Sequence, residues 1–173
     1  MWQAAILAAV VAMTPASGTI PNVDPNDSAI VEVEPLCEVV EISPADLAER
    51  MPTDLKHLAA DVVRICRENE VNCLFVAAVM RWERRPDLHN YFGWMTAEGK
   101  LKRFDSDLDC LEWVIPRLKR LYLEPSGRYY HGATVEGVSI CYNNNDVWRE
   151  NVKRSMEGWN STSGGGLKKE GKK

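Results

Sequence analysis

The sequence contains few cysteines, no long hydrophobic run and no excess of positive charge. Five cysteines in 173 residues are too few for a small domain built on disulfide bonds. The longest apolar run, residues 4–13, is shorter than the roughly 20 residues that a transmembrane helix needs. The formal net charge is −4, whereas nucleic-acid-binding domains are typically strongly basic. We therefore expect no integral membrane anchor and no nucleic-acid partner.

The composition is that of a globular protein, with 45% hydrophobic and 27% charged residues. The length allows one domain with terminal tails. A core of about 120 residues buries enough surface to fold without a metal ion or a disulfide bond. We expect the folded domain to span residues 43–158 and to be a monomer.

Three segments outside this domain have the composition of tails. Residues 1–18 resemble a signal peptide, because an apolar stretch is followed by Pro15 and by small residues that suit a cleavage site. Residues 19–42 mix proline, Asp and Asn without a helical period, which is typical of a linker. Residues 159–173 are rich in Gly, Ser and Lys and predict a flexible tail. The protein is therefore expected to be secreted or to lie in the cell wall.

Capping residues followed by apolar residues at helical spacing predict five or six helices. Their expected starts are Ser43, Thr53 or Asp54, Asn72, Ser106, Thr134, and Asn145 or Asp146. The helix after Asn72, CLFVAAVMRWE, is apolar on nearly all sides, so we expect it at the centre of the fold and ending at Glu83, ahead of Pro86. Residues 87–104 predict a loop and a short β-hairpin. The predicted fold class is α+β, mostly α, with a small hairpin lobe.

Glu83 is the strongest candidate for a catalytic residue. The apolar helix carries it to a surface where aromatic residues gather, among them Trp82, Tyr91 and Trp94. Partial burial beside aromatic rings and the negative end of a helix dipole both favour the protonated form of a carboxyl group, which a general acid requires. On the residues alone, a solvated helix terminus is the alternative interpretation.

Six short motifs between Leu74 and Met156 occur in the order found in one enzyme family. They are AAVMRWE, HNYFGW, FDS at 104–106, LKRLYL, GRYYHGATVEGVSICYN and WRENV at 148–152. In this order the segment resembles the glucosaminidase family of peptidoglycan hydrolases, also described as endo-β-N-acetylglucosaminidase-like, which has a lysozyme-like fold. The resemblance implies cleavage of a β-1,4 bond beside N-acetylglucosamine, with Glu83 as catalytic acid. Tyr142 matches a cleft tyrosine that positions the N-acetyl group or water.

Glycosidases generally need a second group besides the acid. Glu98 is the best candidate for a second catalytic carboxylate, since it lies at the expected hairpin tip. Asp105 and Asp107 are alternatives, although both are placed to serve the start of the following helix. If no carboxylate reaches the bond, the acetamido group of the substrate can act as nucleophile.

Aromatic and amide side chains near Glu83 are candidates for binding sugar rings. These substrate-binding candidates are Trp82, Tyr91, Trp94, Tyr129 and Asn143. The histidines lack the spacing of a zinc protease, and we expect neither a metal ion nor a cofactor.

Two further interpretations stay open. Arg84 and Arg85 directly follow the candidate acid and no base is evident, so the chain could be a catalytically inactive protein that binds peptidoglycan. The same scaffold also hosts muramidases and lytic transglycosylases, since a fold does not determine which bond is cut. In each case the expected partner is the peptidoglycan glycan strand.

Overall fold

A computed structural model describes residues 35–160 of the chain. The expected signal peptide, most of the expected linker and residues 161–173 of the expected tail lie outside the described residues.

Helices dominate the described part of the chain, which confirms the prediction of a mostly helical domain. They are α1 (Pro44–Arg50), α2 (Ala59–Glu68), α3 (Cys73–Glu83), α4 (Asp107–Leu118), α5 (Val135–Tyr142) and α6 (Asp146–Asn160). Short 3₁₀ turns cover Thr53–Leu58 and Pro86–Leu88, and a π-helical turn, Lys119–Leu123, extends α4 beyond its internal Pro116.

Polar side chains cap the helices at the positions that the sequence indicates. Ser43, Ser106 and Thr134 each accept a hydrogen bond from a backbone N–H three residues later. The side-chain oxygen of Asn72 accepts from the N–H groups of Leu74 and Phe75. Each cap satisfies a backbone donor that has no partner inside the helix. One start differs from its prediction, because the segment begins at Thr53 as a 3₁₀ turn without a side-chain cap and becomes α-helical only at Ala59.

The central helix α3 is buried over most of its length. Every residue from Cys73 to Met80 is at most 2% exposed, and α3 packs against α2 and α6. A helix enclosed on all sides has no polar face, which accounts for its nearly continuous apolar sequence. Its last turn leaves the core and carries Glu83 to the surface. No helix among residues 35–160 is long and apolar enough to cross a membrane.

The segment before α1 takes part in the core. Leu36 is only 1% exposed, and its N–H donates to the carbonyl of Ala133 while its carbonyl accepts from Asn72. The packed domain therefore extends N-terminally of residue 43, into the segment that the sequence predicts to be a linker.

Residues 94–102 form a tight loop with one antiparallel bridge, between Met95 and Leu101. The described residues contain isolated bridges of this kind but no longer β-ladder, so the expected hairpin lobe is reduced to this loop. Two backbone hydrogen bonds cross the loop, from the N–H of Lys102 to the carbonyl of Trp94 and from the N–H of Thr96 to the carbonyl of Lys100. The buried side chain of Asn90 adds hydrogen bonds to the carbonyls of Trp94 and Lys102 at the base of the loop.

Candidate active site

Glu83 is the last residue of α3, and its side chain is half-buried. Both arginines that follow it point their charges elsewhere. Arg84 pairs with Asp54 at 2.9 Å, and Arg85 pairs with Asp87 at 3.5 Å. Neither arginine therefore neutralises the Glu83 carboxyl group, as they would if the three side chains shared one side of the helix end.

Asn143 holds one oxygen of this carboxyl group. Its Nδ2 donates a hydrogen bond to Oε1 of Glu83 at 2.9 Å. Asn143 directly follows α5, so the contact joins the C-terminal ends of α3 and α5. A hydrogen bond to a single oxygen fixes the orientation of the carboxyl group, and Oε2 takes no part in this hydrogen bond.

Gly93 lies against the second oxygen. A β-carbon at this position would be 2.6 Å from Oε2 of Glu83, which is too close for any other residue type to fit without displacement. Gly93 also has a φ of +60°, which glycine adopts without strain. The loop backbone can therefore approach the carboxyl group closely only because residue 93 has no side chain.

Asn90 holds the loop that brings Gly93 to Glu83. Its side chain is fully buried and makes four hydrogen bonds, donating to the carbonyls of Trp94 and Lys102 and accepting from the N–H groups of Phe92 and Trp94. Asn90 lies in the HNYFGW motif but is not among the candidate site residues that the sequence indicated. Its position within an aromatic segment could have indicated this role. An amide that is buried among aromatic residues must find a hydrogen-bond partner for each of its polar atoms.

Tyr142 packs between Glu83 and the aromatic core. Its hydroxyl donates a hydrogen bond to the carbonyl of Phe92, and its ring lies 5.6 Å from that of Trp148 and 5.5 Å from that of Tyr122. Burial, and then the nearby Glu83 carboxyl group, raises the pKa of Tyr142 well above its usual value of 10. The phenol therefore stays protonated and ties α5 to the loop beside Glu83.

These residues surround a cavity of about 360 Å³, referred to below as the Glu83 cavity. Its lining residues are Glu83, Phe92, Gly93, Trp94, Met95, Tyr122, Tyr129, Cys141 and Tyr142. The volume is within the range of small-molecule sites, and most of the lining is aromatic. Glu83 contributes the single carboxyl group of this lining.

The structure brings together four of the candidate residues and places a fifth beside them. Glu83, Trp94, Tyr129 and Tyr142 line the cavity. Asn143 is positioned behind the carboxyl group rather than in the lining, so its contact is with Glu83.

Three candidates do not line the cavity. Trp82 is 46% exposed and donates its indole N–H to Ser155 on α6, because successive helix residues point in different directions. Tyr91 is 4% exposed, and its hydroxyl donates a hydrogen bond to Asp107. Glu98 is exposed on the turn where the N–H of Gly99 donates to the carbonyl of Thr96. The predicted second carboxylate is therefore not part of this cavity lining.

Asp107 instead joins three segments around the site. Its carboxylate is hydrogen-bonded to His57 at 3.0 Å, to His89 and to Tyr91. Burial opposes ionisation, but these hydrogen bonds outweigh it and lower the pKa of Asp107 below its usual 3.8. The cluster attaches the segment before Asn90 to the start of α4. Among the described residues, no group of three His, Cys, Asp or Glu side chains is arranged to hold a metal ion.

No protein-family model matches the chain, and no curated protein matches it. The chemistry of the Glu83 cavity and the order of the motifs are therefore the two sources from which function is inferred.

Proposed function

We propose that the chain is a secreted or wall-associated glycoside hydrolase with a lysozyme-like fold, which cleaves a β-1,4 bond beside N-acetylglucosamine in peptidoglycan. In this proposal the loop over residues 94–102 takes the place of the hairpin lobe. The observation that carries the proposal is one half-buried carboxyl group, Glu83, held by Asn143 in a cavity lined by aromatic rings.

Glu83 acts as the general acid. It donates its proton to the glycosidic oxygen while the bond between that oxygen and C1 of N-acetylglucosamine breaks. Asn143 holds Oε1, so Oε2 carries the proton that is transferred. The aromatic rings of Trp94 and Tyr129 provide apolar surfaces for the faces of the sugars.

The substrate supplies the nucleophile. Because Glu83 is the single carboxyl group in the cavity lining, the acetamido oxygen of N-acetylglucosamine attacks C1 as the leaving group departs. Water then opens the cyclic intermediate, and the Glu83 carboxylate accepts the proton of this water. Tyr142 supports this step by fixing the loop that faces the acetamido group.

The presence of a single carboxyl group in the cavity lining favours a second candidate function, a peptidoglycan-binding protein without activity. A cavity with a single carboxyl group can bind a sugar without cleaving it, if the acetamido group is not aligned with C1.

Digestion of purified cell walls tests both candidates. We expect the unmodified chain to release new reducing ends and Glu83→Gln to lose at least about 100-fold of this activity, since a positioned general acid contributes that much. Glu98→Gln is the matched control, because Glu98 is an exposed glutamate outside the cavity lining, and it should retain activity.

Mass spectrometry of the products identifies the bond that is cut. A reducing N-acetylglucosamine end indicates a glucosaminidase, a reducing N-acetylmuramic acid end a muramidase, and an anhydro sugar a lytic transglycosylase. Full activity of Glu83→Gln would overturn the catalytic role of Glu83. Binding to walls without any new ends from the unmodified chain would establish the second candidate.

A further inference from the structure

A second cavity, of about 460 Å³, shares no lining residue with the Glu83 cavity. One tryptophan of a contacting pair lines each of the two cavities. Trp94 lines the Glu83 cavity, and its ring meets that of Trp113 edge-on at 5.5 Å. Trp113 lines the second cavity. Because the two rings are in contact, a ligand longer than one sugar that is bound in the Glu83 cavity comes within reach of the second cavity.

Three basic side chains line the second cavity, and two of them are held against aromatic rings. The guanidinium carbon of Arg117 lies 3.7 Å from the ring centre of Trp113. The ammonium group of Lys102 lies 5.0 Å from the same ring and 5.1 Å from that of Phe104. Arg103 is the third basic residue of the lining. Cation–π contacts of this kind position a cation without neutralising its charge.

None of these three cations forms an ion pair with a carboxylate among the described residues. Acidic residues line the same cavity, namely Asp105, Asp109 and Glu112, but Glu112 is paired at 3.2 Å with Arg64 outside it. The mixture of charges suits a ligand with a single carboxylate, or a zwitterionic peptide, better than a polyanion.

We propose that the second cavity binds a carboxylate of the lactyl-peptide substituent on the N-acetylmuramic acid unit, next to the N-acetylglucosamine in the Glu83 cavity. This inference rests on the proposed function. Peptidoglycan alternates these two sugars, and the carboxylates of that substituent are the anionic groups that a neutral N-acetylglucosamine polymer lacks. Charged hydrogen bonds from Lys102 and Arg117 recognise the carboxylate, so the second cavity gives the site its preference for peptidoglycan.

Calorimetric titration of the full chain tests this in the Glu83→Gln background, where ligand is not consumed. The probes are an N-acetylglucosaminyl-N-acetylmuramyl peptide with free carboxylates and the same compound with its carboxylates amidated. We expect Lys102→Met and Arg117→Gln each to weaken binding of the free acid about tenfold, because each variant loses one charged hydrogen bond. Neither substitution should change the affinity for the amidated compound. Arg117→Lys keeps the charge and should recover part of the affinity. Lys56→Met removes an exposed lysine from outside both cavities and should change neither affinity.

The possible results separate this proposal from the previous one. The carboxylate site would be overturned if the variants kept their melting temperature and lost the same affinity for both probes, or lost affinity for neither. The glycosidase proposal would still stand in that case. Failure of the parent chain to bind either probe would overturn both proposals.

Discussion

Gly93 lies against Glu83 so closely that a β-carbon on Gly93 would be 2.6 Å from Oε2 of the glutamate. The Glu83 carboxyl group is thus held by Asn143 at one oxygen and bounded by the loop backbone at the other. This arrangement limits the positions that Oε2 can take.

Gly93→Ala should displace the carboxyl group and reduce the rate of wall hydrolysis by at least about tenfold, because small misplacements of a reacting group are costly. Gly99→Ala is the matched control. Gly99 also has a positive φ, +74°, but nothing lies within 4 Å of the added methyl group. Both variants should lose about 1 kcal/mol of stability from the backbone conformation. Similar rates of wall hydrolysis for the two variants would show that the close approach of Gly93 to Glu83 does not affect the reaction.

Asn90→Ala should lower the free energy of unfolding by about 3 kcal/mol, because it leaves buried backbone groups without hydrogen-bond partners. Denaturation with urea measures this loss. Asn144→Ala is the control, since Asn144 is exposed, and it should stay within about 0.5 kcal/mol of the unmodified chain. A loss below about 1 kcal/mol for Asn90→Ala would contradict the role assigned to its four hydrogen bonds.

Cys141 is the one exposed cysteine among the five, and it lines the Glu83 cavity. Treatment with a bulky thiol reagent should therefore label Cys141 first and stop wall hydrolysis by filling the cavity. Peptide mass mapping identifies the labelled residue, and the rate of release of reducing ends measures the inhibition. Cys141→Ser should be insensitive to the reagent. Unchanged activity in fully labelled protein would mean that substrate does not enter this cavity.

Asp107 should make stability depend on pH in the acidic range. Its pKa is lowered in the folded state, so its contribution is complete above the usual pKa of 3.8 and is lost as the pH falls through the lower folded value. Asp107→Asn should lower the free energy of unfolding by about 1–2 kcal/mol near pH 7, because the charged hydrogen bonds are lost. The difference in this free energy from the unmodified chain should shrink below about pH 3.8. Thermal melts across this range measure the effect, with the exposed Asp105→Asn as control. A difference that is constant with pH would contradict this assignment.

Local sequence rules predicted most of the helices. Ser43, Asn72, Ser106 and Thr134 cap helices that begin where these residues indicated, because a cap acts on N–H groups only two or three residues away. The end of α3 at Glu83 likewise agrees with the proline three residues later. The hairpin expected over residues 87–104 depended instead on pairing between separated residues, and there isolated bridges form in place of a longer ladder.

The sequence by itself determined that a buried apolar helix ends in a glutamate, because periodicity and chain-breaking residues are local properties. Only the tertiary structure decided which side chains meet that glutamate. Asn143 is 60 residues away along the chain and contacts Glu83, whereas neighbouring Trp82 points towards α6. The direction in which each of these side chains points depends on how the ends of α3 and α5 pack with the loop held by Asn90. The spacing of residues along the chain does not specify that packing.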